Sequence, residues 1–106
     1  MARVAAVVAD LMLASRVSTS LEAAGHEVVR AASLPDDLAG AELLVADLDA
    51  VAPEQLGDLS VPVIAFYQHT DTETKARAEA AGIAVAVPRS RMVRELPELV
   101  ERVLPA

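Results

Sequence analysis

The sequence predicts an α/β fold in which a parallel sheet is covered on both faces by helices. Three observations carry this. Five short runs rich in β-branched and aliphatic residues alternate with five segments of helical spacing. The runs at 4–9, 43–46 and 61–66 are continuously apolar, as strands buried on both faces are. The four glycines, Gly25, Gly40, Gly57 and Gly82, each fall just beyond a proposed helix, where a left-handed C-cap favours glycine. Strand–helix–strand units joined by right-handed crossovers give parallel neighbours.

The first strand is 4–9. In the helix that follows, 11–24, Leu13, Val17, Leu21 and Ala24 share one stripe, with Ser15, Ser18, Thr19 and Glu22 elsewhere. His26 opens a second strand, 26–31, whose alternation suits a sheet edge. Ser33-Leu34-Pro35-Asp36 reads as the start of a short second helix over 34–39. The third strand, 43–48, precedes a third helix near 51–56. After the fourth strand, 61–67, Thr70 and Glu73 have capping-box spacing at the head of a fourth helix over 71–81. The fifth strand is 83–87. The fifth helix, roughly 92–104, turns Met92, Leu96, Val100, Val103 and Leu104 inward and places Pro97 in its first turn, because the ring breaks a helix interior. Met12 and Met92 read as core fillers.

The 106 residues suffice for one domain, 1–106. With 54% hydrophobic residues and no low-complexity tract, the chain is not a disordered tail. No run approaches the ~20 apolar residues of a membrane span, and the start lacks a signal-peptide cleavage site, so a cytoplasmic location is expected. Zero cysteines exclude disulfides, thiolate metal sites and thiol catalysis. A formal charge of −7 argues against a nucleic-acid partner, whose phosphates attract clustered cations.

In open α/β sheets, ligands sit at the carboxyl ends of the strands. There the sequence places Asp10 after the first strand, Asp47 and Asp49 after the third, and Tyr67, Gln68 and His69 after the fourth. Pro88, Arg89 and Ser90 follow the fifth. Other ligands of such sheets find no matching residues. The first turn, 9–15, has no glycine for a dinucleotide and Leu11-Met12-Leu13 offers no donors for a flavin phosphate. A His-containing cobalamin loop and a nucleophile elbow are also absent.

On these residues the chain resembles the receiver domain of two-component response regulators over essentially its whole length. Glu42-Leu43-Leu44-Val45-Ala46-Asp47-Leu48 looks like that family's third strand, Val61-Pro62-Val63-Ile64-Ala65-Phe66 like its fourth, and Ala80-Ala81-Gly82 like the approach to its fifth. The resemblance implies a flavodoxin-like three-layer fold with five strands ordered 2-1-3-4-5 and five helices. It puts Asp47 at the phosphoacceptor position, and Tyr67 and Arg89 at the switch positions. The departures are specific. One acid, Asp10, stands where receivers usually carry two for magnesium. Leu48-Asp49-Ala50-Val51 replaces the usual Met-Pro, Tyr67 replaces a small hydroxyl, and Arg89-Ser90 replaces Lys-Pro.

Aspartyl phosphorylation brings an anionic phosphoryl group to an anionic nucleophile, so charge neutralisation dominates its catalysis. Arginine's rigid fork does not substitute for a compact ammonium, and a tyrosine does not swing inward as a small hydroxyl does. The expectation is therefore a stand-alone, degenerate receiver-like module that binds proteins, is not an enzyme, needs no cofactor and is phosphorylated slowly if at all. In the alternative, Asp47 accepts a phosphoryl group from a histidine kinase, with magnesium held by Asp10 and Asp47. Asp10 reads equally as the N-cap of the first helix. Asp47 reads as a surviving anion-site residue or as a cap of the next helix. Arg89 pairs with Asp47 or Asp10 in place of a metal, or lies free on the surface. Arg91 and Arg94 form with it a solvated patch or a docking site for an acidic partner, and Tyr67 reads as an interface anchor. A homodimer through the fourth helix, fifth strand and fifth helix would use Lys75, Ala84, Ala86, Arg91 and Arg94. His26 and His69 carry no ligand role, since no second His or Cys lies near.

Overall fold

A computed structural model describes residues 2–38, 40–68 and 70–104. The elements are β1 (Arg3–Val7), α1 (Leu11–Ala23), β2 (Glu27–Ala31), β3 (Leu43–Asp47), a 3-10 turn (Pro53–Gln55), β4 (Val63–Tyr67), α2 (Thr72–Ala80), β5 (Val85–Pro88) and α3 (Arg89–Val103). The five strands form one sheet in the order β2-β1-β3-β4-β5, every pair parallel. All residues of β3 and β4 are buried, whereas edge strand β2 is partly exposed throughout.

Alternate residues of each strand feed opposite layers, as the two-residue strand period requires. Val4, Ala6, Leu43, Val45, Ile64 and Phe66 pack beneath α1 and α3. From α1, Leu13, Val17 and Leu21 close that layer, and from α3, Met92, Leu96, Leu99 and Val100. Ala5, Val7, Leu44, Ala46, Val63 and Ala65 feed the opposite layer, against Val51, Leu56 and Ala78. That second layer is thinner, roofed by α2, the 3-10 turn and extended chain.

Helix count is where expectation and structure part: among the described residues three α-helices form, not five. The described part of 34–39 is irregular, and 51–56 contracts to the single turn Pro53–Gln55. Six residues are too few to offset helix nucleation in water. The apolar anchors of both segments dock regardless, with Val51 and Leu56 buried and Leu34 and Leu38 partly so. At the head of α2 the cap is Asp71, not Thr70: its carboxylate accepts from the Thr74 amide at 3.0 Å. The last helix starts three residues earlier than expected, directly after Pro88, and Pro97 lies in its interior. Its buried stripe begins at Met92, so packing extends the helix to the amino-terminal side of the proline.

Two glycines act differently from one another. Gly82 follows α2 with φ +78°, the left-handed cap expected of it. Gly57 is not left-handed; a Cβ there would lie 2.7 Å from the Ala81 carbonyl oxygen, so glycine is required by close approach of two backbones. Among the described residues no helix is long and apolar enough to cross a membrane.

Candidate functional site

The carboxyl ends of β1, β3, β4 and β5 lie on one rim, and register sets their levels: Asp47 is level with Phe66, and Tyr67 with Pro88. Asp10, three residues past β1, is the N-cap of α1, its Oδ1 accepting from the Met12 and Leu13 amides at 2.9 and 3.1 Å. Its Oδ2 lies 3.5 Å from Nη2 of Arg89, the first residue of α3. The two readings of Asp10 and Arg89 thus meet in one side-chain pair: Asp10 caps the helix and also faces the guanidinium. The Leu13 amide foremost, with Met12 and Arg89 adding, holds the Asp10 carboxyl below the usual carboxylate range.

Asp47 ends β3 and is only 7% exposed. Its Oδ1 accepts from the Asp49 amide at 2.9 Å, an Asx turn that bends the chain away from the strand. Burial pushes its pKa up, and the neighbouring charges of Asp49 and Asp10 push the same way, while the Asp49 amide and Arg89 oppose. Asp49 is exposed and accepts from Gln68 Nε2 at 3.3 Å, tying the end of β3 to the end of β4. Sequence reasoning named Gln68 without giving it a partner; its place one residue past β4, beside Asp49 two residues past β3, was the available signal.

Tyr67 is 5% exposed and packs in the layer of Ala65 and Ala46. An interface anchor must reach solvent, so the burial removes Tyr67 from that role; aromatic area at the end of an interior strand is worth more in the core. Met12 is likewise corrected: it is 83% exposed and fills no core, whereas Met92 is fully buried. Arg91 and Arg94 share one carboxylate, Glu95, at 3.4 and 3.3 Å. His26 lies at the opposite end of the sheet, its buried Nδ1 accepting from the Ala2 amide at 3.1 Å. His69 falls outside the described residues.

Magnesium wants near-octahedral oxygens and usually keeps one or two carboxylates. One Asp10 oxygen is engaged by two amides, the other faces a fixed cation, and one Asp47 oxygen is engaged by Asp49. Among the described residues no three His, Cys, Asp or Glu side chains group to hold a metal. Asp10 and Asp47 thus each keep one oxygen outside these amide bonds, the Asp10 oxygen standing beside Arg89.

No family model matches the chain, and no curated protein does. Solved structures do. NtrX from Brucella abortus superposes with TM-score 0.80 at 20% identity over 97% of this chain, which spans 27% of NtrX. A response regulator receiver domain protein from Clostridium thermocellum gives 0.81 at 14% identity, covering 97% of this chain and 94% of that one. The chemotaxis response regulator CheY4 of Vibrio cholerae gives 0.79 at 24% identity, covering 98% and 99%. This chain has the fold of a response-regulator receiver domain. The receiver fold places Asp47 at the end of its central strand and Arg89 at the start of its last helix, on the rim where open α/β sheets carry their ligands.

Proposed function

We propose that this chain is a degenerate receiver-like signalling module, residues 1–106 acting as one unit, that works by binding another protein and does not efficiently phosphorylate Asp47. One observation carries the reading: the Arg89 guanidinium stands 3.5 Å from Asp10, so a fixed cation neutralises the acid that would otherwise serve a metal. Two others support it. Asp47 is desolvated, which disfavours the carboxylate that must act as nucleophile. Tyr67 is buried by packing, so no mobile small hydroxyl stands at the end of β4.

The partner expected is a histidine kinase or a downstream signalling protein, met through α2, β5 and α3. That face carries exposed Lys75, Ala84 and Arg94 with partly exposed Ala86 and Arg91, and β5 is a sheet edge. The same face suits a homodimer; an Ala84→Glu variant then sediments as monomer where the parent sediments as dimer.

Incubation with magnesium and acetyl phosphate, followed by intact mass, tests the central claim. The expected result is no phosphoryl adduct. An adduct that disappears in Asp47→Ala overturns the reading and establishes a phosphoaccepting receiver.

A further inference from the structure

We propose that the groove between α1 and the start of α3 binds a small organic anion carrying a short apolar tail. The observation is a change of chemistry along one groove. At the rim, Arg16, Gln68, Arg89, Ser90 and Val93 line an open cavity of about 460 Å³. Its side chains come from α1, the segment after β4, and α3, so three parts of the fold converge on it. Arg16 and Val93 also line a second cavity further along the same helices, about 100 Å³, floored by Val17, Met92 and Leu96.

The polar end is built for negative charge. Arg16 has no ion pair or hydrogen bond among the described residues. Arg89 meets Asp10 through one nitrogen at 3.5 Å, leaving the rest of its fork for another acceptor. Ser90 adds a hydroxyl, while the Gln68 amide already donates to Asp49 at 3.3 Å and only borders the cavity. No side chain caps α3, because its N-cap is Pro88, so its first amides lie beside the same cavity without a side-chain acceptor. In a chain of formal charge −7, two guanidiniums line this one cavity, with Asp10 beside Arg89 and Arg16 unpaired among the described residues.

The lower end asks for hydrocarbon. Val17, Met92 and Leu96 are at most 2% exposed, and the small cavity they line with Val93, Ser20 and the Arg16 side chain has room for a ring or short alkyl chain. A phosphate or carboxylate head therefore sits between Arg16 and Arg89, with its tail along Val93 toward Leu96. Arg89 is shared with the Asp10 pair and its charge also reaches Asp47, so the test rests on Arg16 and Ser90, which belong to the groove and not to that pair.

Phenyl phosphate is the probe, with inorganic phosphate for the head alone, phenol for the tail alone and benzoate for a carboxylate head. Titration of the whole chain, followed by amide chemical shifts, is expected to saturate with phenyl phosphate or benzoate at a Kd of about 1 mM or below. The largest shifts are expected at Ser20, Ser90 and Val93. Inorganic phosphate and phenol should each bind at least about tenfold more weakly, and Arg16→Ala should lose about tenfold for phenyl phosphate. Arg16 is exposed, so that variant keeps its fold; Ser90→Ala is a second test with a smaller loss in the same direction. The proposal is overturned by non-saturable binding, by equal affinity for phosphate and phenyl phosphate, by shifts centred elsewhere, or by unchanged affinity in Arg16→Ala.

Discussion

Asp47 ends an interior strand, where a carboxylate loses water and, among the described residues, regains one amide donor. Its raised pKa has a definite sign for stability. The folded chain holds this proton to a higher pH than the unfolded chain does. The associated stabilisation is thus present in full below the unfolded value and lost as pH rises through the folded one. At neutral pH the ionised group is a net cost. Asp47→Asn keeps an oxygen for the Asp49 amide, so urea unfolding should show a more stable variant at neutral pH and a vanishing difference in acid. A variant equally or less stable at neutral pH would contradict this account. The glycines make a second residue-scale test. Ala at Gly82 costs about 1–2 kcal/mol through a left-handed φ alone, and Asn, which tolerates that region, recovers part of it. Ala at Gly57 forces the backbone away from Ala81 at about 1–3 kcal/mol, and Asn recovers nothing. Chemical denaturation of the four variants distinguishes the two mechanisms.

Among the elements, α3 combines the most pronounced apolar stripe with a proline in its middle. Pro97 offers no amide to the Val93 carbonyl, yet Met92 and Leu96 on one side and Leu99 and Val100 on the other are all within 1% of full burial. Packing on both sides outweighs the missing bond, the reverse of what local propensity alone implies. Pro97→Ala should therefore raise stability by about 1–3 kcal/mol, the interior proline penalty less the entropy it removed from the unfolded chain. A fall in the thermal midpoint would show that Pro97 fits a bend the packing requires. The segments at 34–39 and 51–56 show the complementary effect. Their leucines and Val51 still reach the sheet, but one or two anchors on so few residues leave no length for a helix.

Over the whole molecule the two sheet faces are unequal. One is closed by two long helices with eight buried apolar residues between them; the other by a nine-residue helix, a single 3-10 turn and extended chain. Local opening follows buried apolar contact, so the amides of Glu54, Gln55 and α2 should exchange before those of α1 and α3. Leu96→Ala, in the thick layer, should cost about 2–5 kcal/mol by urea unfolding. Exchange of α3 as fast as that of α2 would refute the asymmetry.

The strands and their central or edge character were legible along the chain, because a strand buried on both faces must be apolar at consecutive positions. The rim was legible as well, since the residue after each strand is read off directly. The pairing on that rim was not. Whether Arg89 met Asp10, Asp47 or solvent depended on how α3 starts against β5, and that start was set by Met92 and Leu96 finding the far side of the sheet. Tyr67 was misplaced for the same reason: a strand end looks exposed in one dimension and is covered in three. Local patterns determine which segments are strands or helices, because those choices turn on neighbours within a few residues. Tertiary packing alone decides helix starts, the depth of a strand end and the partners of a charge, because each is a competition between groups far apart in sequence.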